Sequence, residues 1–571
     1  MVPLSLITLE TIAWLKIILI GFVLCFFILL AAKKQKALFY TVLMTVFIFV
    51  FYLIFSYKFR TMLWGNNGDE FFIMAFLSRV LHGQPLTDFY YSWLPTFYPP
   101  LYFWVTGLIS SLFTQSAIVA HKIGVLGSLF LWFSGSYLYQ WIYFKKINHD
   151  QKGIAANSWF WLIFPLMFFI ILDFDSIVLK PYETLAAMLV ILFLSLLTKS
   201  FKQDKWNIKT YLFFGISAGI LFLIYYFWWF LLVPAILIVI LMSNQKIKNL
   251  LRTIWVGLIA LIMSAIYLIP LVGSFFKYGT ENWQALFFID QDFSTFVPWS
   301  VLSLKTLILI LGLAGFVIFR KRKSIQPVIT IFLVCYLYQL VNYVYFIFFK
   351  TTFQPAKAFL FLASGCLIFS AAYLLICVWQ KYVLNKLNSF QQRSLVAIIF
   401  LVYLPFIPAV KFIDEPAIRW QMEKNLKEPE SVWLAEQIKK NMPDWQDRTW
   451  LSSGTPVVNA YLPLSYFIAH NPHFSHQAAQ YSQKMEFVEK LTQADDADIF
   501  WQLIKQSNPP IDSLIFYFNT EKQSYDLFFW EDNYPNGGQE KTISLSKELI
   551  SDKYWDLVFD QNNWNIFLIK E

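Results

Sequence analysis

Charge is scarce in this chain. Only 14% of its 571 residues are Asp, Glu, Lys or Arg, while 58% are hydrophobic and 20% aromatic, with a mean hydropathy of +0.54. Soluble domains carry roughly a quarter charged residues, so this composition excludes an ordinary soluble protein and leaves a polytopic membrane protein. Cysteine is scarcer still. Cys25, Cys335, Cys366 and Cys377 all lie inside apolar runs, and none falls in the tail after residue 411. That excludes a disulfide framework and a thiolate metal centre and leaves packing roles. No P-loop, GxGxxG or nucleophilic triad pattern occurs, so nothing points to nucleotide-driven chemistry. Repeats and low-complexity tracts are also missing.

The net charge of +9 invites a nucleic-acid reading, but its distribution removes it. Residues 1–411 carry 31 Lys and Arg against 12 Asp and Glu, and residues 412–571 carry 14 against 24. The basic excess belongs to the apolar part and the acidic excess to a tail, so no nucleic-acid partner is expected and the lipid bilayer is. Two domains follow: a transmembrane part over 1–411 and a soluble part over 412–571. The first apolar run, from about Thr11 to Ala32, has no basic segment before it and ends in Lys33-Lys34-Gln-Lys36. It reads as a retained anchor rather than a cleaved signal.

Spans of about 20 apolar residues cross a bilayer, and cytoplasmic loops collect Lys and Arg. The runs near 12–32, 38–57, 121–144, 154–172, 182–198, 208–225, 226–242, 253–272, 300–319, 326–348, 357–379 and 394–411 give about 12 spans on that basis. Under this count the basic loops around Lys33, Lys145, Lys199, Lys246, Arg320 and Lys381 all fall on one side. The count requires that 98–115 lie on or dip into the outer face, and that 208–242 cross twice about the aromatic cluster Tyr225-Tyr-Phe-Trp-Trp229. The outer face of the plasma membrane then receives the first large loop, 58–120, and the whole tail. In the tail, a helical pattern at Ser482–Leu491 and strand-like runs at Asp512–Phe518 and Trp564–Lys570 predict an α/β domain.

Two acidic clusters fall on that outer face. Asp69 and Glu70 open the first loop in WGNNGDEFF, ahead of an amphipathic stretch, Phe71 to Leu81, that suits an interfacial helix. Asp173 and Asp175 end the span 154–172, and Lys180 and Glu183 follow. Adjacent carboxylates at a helix start are also explained as caps, yet carboxylates at a membrane edge are costly unless paired, hydrated or used. A carboxylate near a bound hydroxyl serves as a general base, and its partner orients it or holds a divalent cation. A phosphate leaving group needs cations, for which Lys180, Lys350 and Lys357 are candidates, with Arg60 and Arg79 behind them. Ordinary snorkelling explains Lys58 and Arg60 better. Trp93, Tyr98 and Tyr102 are candidates to stack on a sugar or to pack on lipid. His470, His473 and His476 in AHNPHFSH do not share a helix face, and Pro472 argues for a loop of surface or acceptor-contacting histidines, so a metal site is left undetermined.

This pattern resembles the GT-C fold glycosyltransferases. The residues that carry the resemblance are the first-loop pair Asp69-Glu70, the segment Tyr98-Pro99-Pro100-Leu101 behind it, the further carboxylate at Asp173 or Asp175 and the terminal outer domain. Within that superfamily the stretches HNPHFSHQAAQYSQKMEFVEKLTQADDADIFWQLIKQ, NPPIDSLIFYF and EDNYPNGG are similar to the terminal domain of the galactan arabinofuranosyltransferase family. The Lys, Asn, Gln and Phe content departs from that family's usual composition. The resemblance implies an inverting transfer from a polyprenyl-phosphate sugar donor to a glycan acceptor. Asp69 would act as base and Glu70 would orient acceptor or base. Asp173 or Asp175 would help hold acceptor or cation, Lys180, Lys350 and Lys357 would hold phosphate, and Glu183 and His473 would line the substrate site. A transporter or flippase is the rival reading, and an inactive scaffold a third. A transporter places its ionisable residues near the midplane, whereas here the acidic clusters lie at span ends.

Overall fold

A computed structural model describes residues 4–32, 36–61, 69–145, 159–172, 174–281, 293, 303–383, 386–404, 415–532 and 538–570. Its helices are α1 Leu6–Ala31, α2 Ala37–Ser56, α3 Asp69–Leu81, α4 Leu101–Ser111, α5 Ala117–Lys145, α6 Phe160–Leu172, α7 Phe174–Leu179, α8 Pro181–Ser200, α9 Ile208–Ile224, α10 Trp229–Leu241, α11 Lys246–Tyr278, α12 Leu304–Phe319, α13 Gln326–Phe349, α14 Pro355–Val383, α15 Ser389–Tyr403, α16 Pro416–Asn425, α17 Glu430–Asn441, α18 Tyr481–Leu491 and α19 Ala497–Lys505. The strands are β1 Thr449–Ser452, β2 Ser465–Tyr466, β3 Ser513–Asn519, β4 Ser524–Asp532, β5 Gly538–Ser546, β6 Trp555–Gln561 and β7 Trp564–Ile569.

Among the described residues, seven helices are long and apolar enough to cross a membrane: α1, α2, α5, α8, α11, α13 and α14. The chain is a multi-pass membrane protein. The segment expected to cross twice at 208–242 is broken at Tyr225, where α9 and the following helix, Tyr226–Leu241, bend by 119°. In the run 98–115 the helix is α4, with 11 residues. At 1.5 Å per residue it is about half the roughly 30 Å of a hydrocarbon core.

The chain forms two compact units. One comprises Met1–Phe59, Lys122–Ser264 and Ile289–Lys427, and the other Arg60–His121, Ala265–Phe288 and Glu428–Glu571. In the first unit helices approach through glycine. A methyl group on Gly312 of α12 would lie 2.3 Å from the Leu367 carbonyl oxygen of α14, and one on Gly315 would lie 2.4 Å from Ser370 Oγ. Only hydrogen at these positions lets the two backbones touch, as in close helix pairs within lipid. Pro165 inside α6 has no N–H to give the carbonyl of Trp161. Ser136 Oγ of α5 donates to that carbonyl at 2.9 Å, and Trp132 Nε1 donates to Pro165 O at 2.9 Å. The carbonyl that Pro165 cannot pair is thus satisfied by the neighbouring helix.

In the second unit a seven-stranded sheet is built on β3. β7 runs antiparallel along one edge of β3, and β1 and β4 share the other, β1 parallel at Ser513–Ile515 and β4 antiparallel at Tyr517–Asn519. β2 extends β1, β5 extends β4 and β6 extends β7. Met485, Val488 and Leu491 of α18 and Phe500 and Ile504 of α19 bury their apolar side chains against Leu514, Phe516, Leu527 and Phe567. The helix and both strands expected in the tail are present within a residue or two of their expected ends.

The first loop is built into this sheet domain. Tyr466 N donates to Tyr90 O at 2.8 Å, so the loop continues past β2 where the sheet would otherwise end. Ser92 Oγ donates to Ser465 Oγ at 2.7 Å, and Asn459 Nδ2 to Phe89 O at 3.1 Å. α3 is accordingly not the interfacial helix its amphipathic pattern suggests. Glu70, Phe72 through Arg79 and Leu81 are all buried, because α4 and the turn at Pro456–Ala460 pack against it. Arg79, a candidate cation, is taken up by the same packing. It is fully buried, and its guanidinium donates to Leu464 O at 2.8 Å and Gln84 Oε1 at 2.5 Å.

Candidate functional site

In the first unit three helix ends supply one polar cluster. Glu183 sits in the first turn of α8, behind Pro181, and is buried. Lys357 follows Pro355 in the first turn of α14, just before a π-helical stretch, Ala358–Ala363. Tyr225 ends α9 in an extended conformation. Prolines at helix starts sit where no N–H is needed, and π-turns often mark functional positions. Lys357 Nζ donates to Glu183 Oε1 at 3.1 Å and to the Tyr225 hydroxyl at 2.7 Å. It also lies 5.3 Å from the centroid of the Tyr225 ring and 5.7 Å from that of Phe227. Trp228 Nε1 donates to Glu183 O at 3.1 Å, fixing the start of α8. Two helix N-termini and an ammonium together favour an anion at this place.

Lys350 is not drawn into this cluster. It ends α13 in the left-handed region, at φ 57°, exposed, with Nζ donating to Ile347 O. The loop after it is fixed by Asn342 Oδ1, which accepts from Phe353 N at 2.6 Å, and by Tyr338, whose hydroxyl donates to Phe353 O at 2.5 Å. Lys180 immediately precedes α8, and its carbonyl accepts from the Thr184 hydroxyl at 3.1 Å. Asp173 lies outside the described residues, as does the side chain of Asp175.

The second unit gathers other expected residues around Phe72. Asp69 and Glu70 form the first turn of α3, Asp69 partly exposed and Glu70 buried. The Phe72 ring, on the next turn, lies 4.7 Å from Tyr98 and 5.8 Å from Phe474. Phe474 follows His473, whose ring is 5.1 Å from it. Tyr102 contacts Phe103, which also reaches Tyr98. Trp93 belongs to a separate group, with the Lys484 ammonium over its ring.

The histidines depart from expectation. His476 is a buried side chain, not a surface one: its Nδ1 accepts from Ala478 N at 2.9 Å, and its ring packs against Phe97. Burial lowers its pKa to about 3, so it is neutral. Among the described residues no three His, Cys, Asp or Glu are arranged to hold a metal ion.

Sequence reasoning missed Tyr225, Trp228 and Lys484. The first two carried a signal, since the aromatic cluster marked the break between helices, but its obvious reading was an interfacial belt. Lys484 gave none, because a lysine in an amphipathic helix reads as solvated.

No family model and no curated protein matches the chain. Among solved structures it is similar to ArnT from Cupriavidus metallidurans in the apo state, at 13% identity over 83% of this chain and 95% of that one, with a TM-score of 0.43. It is also similar to the Archaeoglobus fulgidus oligosaccharyltransferase in complex with Zn and sulfate, at 12% identity over 83% and 68%, with a TM-score of 0.42.

Proposed function

We propose that the protein is an integral-membrane, GT-C-type glycosyltransferase that moves a sugar from a polyprenyl-phosphate donor to a cell-envelope glycan at the outer face of the plasma membrane. The observation that carries this reading is the Lys357–Glu183–Tyr225 cluster, which assembles a cation at helix ends rather than in mid-helix. The acceptor oxygen attacks the anomeric carbon and inverts it, the bond from that carbon to the phosphate oxygen breaks, and the electron pair leaves with the phosphate. Asp69 takes the acceptor proton. Lys357 holds the phosphate, whose charge rises as the bond breaks, with Lys180 and Lys350 as auxiliary cations.

The similarity of the tail to the galactan arabinofuranosyltransferase family makes arabinofuranose the first donor sugar to try and a galactan-like glycan the first acceptor. Incubating the purified protein with a panel of polyprenyl-phosphate sugars, with and without EDTA, tests the reading. One donor should be consumed, with release of polyprenyl phosphate matching glycoside formed. The transporter reading draws on the broken helix pair at Tyr225. It predicts movement of intact lipid-linked sugar across vesicles with no transfer.

A further inference from the structure

Lys484 lies in the first half of α18 and is 4% exposed. Its Nζ is 4.4 Å from the centroid of the Trp93 ring, 4.8 Å from that of Tyr91 and 5.2 Å from that of Phe467. Among the described residues neither Lys484 Nζ nor Trp93 Nε1 has a hydrogen-bond partner. The box around the amine is itself fixed. The Tyr91 hydroxyl pairs with Ser475 Oγ at 2.8 Å and accepts from Ala469 N at 2.9 Å, and Tyr278 packs edge-on to Trp93 at 5.2 Å. A buried ammonium without acceptors destabilises the fold, and ring faces offset only part of that cost. The cost falls where the loop bearing Trp93 meets α18.

We propose that Lys484 is a positioning residue for Trp93, its amine clamping the indole and the loop around it to α18, tightly when protonated and loosely when neutral. The proposal rests on the reading of Trp93 as a substrate-binding side chain.

One neighbouring group titrates in the same window as Lys484: Asp88, which accepts from Tyr91 N at 3.1 Å, is raised by burial to about 7, so loss of the titration in Lys484→Met, rather than its midpoint, assigns the switch to Lys484. Glu281, whose carboxylate accepts from Ser482 N at the start of α18, attracts the ammonium. His476 is neutral, and burial raises the Tyr91 phenol well above its usual range. Burial lowers the Lys484 amine from 10.5 to about 7. An unfolded lysine therefore holds its proton where the folded one has lost it. The stability Lys484 costs is greatest below pH 7 and is relieved as pH rises from there toward 10.5.

The test is ¹⁹F NMR of the full-length protein carrying 5-fluorotryptophan, with the Trp93 signal assigned by its loss in Trp93→Phe. The Trp93 resonance should titrate with a midpoint near 7. In Lys484→Met that titration should vanish, while the Tm at acid pH is no lower than that of the wild type. A Trp93 signal that stays fixed from roughly pH 6 to 8.5 overturns the clamp, and the wild-type titration decides this without any Lys484 variant. An identical titration in Lys484→Met overturns it too. In turnover assays the variant should raise the acceptor KM about tenfold with little change in kcat. If no donor in the panel is consumed, the transferase reading fails while the ¹⁹F result still judges the clamp.

Discussion

Lys357 Nζ lies 3.1 Å from both carboxylate oxygens of Glu183. The pair neutralises itself at the ends of two apolar helices, where either charge alone would be expensive. Under the proposed function, a donor phosphate reaching Lys357 would compete with a carboxylate already in place, and Glu183 would hold the lysine ready until the donor arrives.

Removing one partner should cost more than removing both. Lys357→Ala strands a buried carboxylate and should destabilise the protein by roughly 3–5 kcal/mol. Pairing it with Glu183→Leu should recover most of that loss. Thermal unfolding of the three proteins in one detergent checks this, and strictly additive losses would contradict the coupling.

Gly312 should tolerate no side chain. A methyl group there meets the Leu367 backbone, which cannot rotate away. Gly312→Ala should cost about 1–3 kcal/mol and lower the yield of folded protein. Gly257→Ala, with nothing within 4 Å of the added methyl, is the control and should be near neutral.

Asp88 should make stability fall with rising pH. It is fully buried, accepts from Tyr90 N at 2.9 Å and Tyr91 N at 3.1 Å, and its other oxygen has no hydrogen-bond partner among the described residues. Burial raises its pKa from 3.8 to about 7, against the pull of those bonds and of Arg79. The folded state thus binds a proton that the unfolded state has released, and its contribution is lost as pH climbs through that window. Asp88→Asn keeps an oxygen for both amides and should flatten Tm between those two pH values.

A reporter fused after Lys323 should lie in the cytoplasm, and one fused after Phe412 outside. Both signals on one side would refute the assignment of the tail to the outer face.

Much of the fold was legible in the sequence, and for identifiable reasons. Length and hydropathy locate helices such as α1, α2 and α8, and short, nearly continuous apolar and aromatic runs locate β3 and β7. What was not legible depends on contacts distant in sequence. The buried state of Arg79 follows from a carbonyl at Leu464, 385 residues away. Glu183 and Lys357 were each singled out as outward-facing charges, but their pairing, and the part of Tyr225 in it, required helix ends that share no local motif. α3 misled because an amphipathic stripe cannot report that α4 and the tail cover its polar side as well.

Under the proposed function Asp69 is the base of the sugar transfer. The rate of glycoside formation by purified Asp69→Asn, from whichever polyprenyl-phosphate sugar the wild type consumes, decides whether it is. Loss of a general base predicts a fall in kcat of about 10²–10⁴-fold with donor binding retained. Transfer at the wild-type rate would contradict the account.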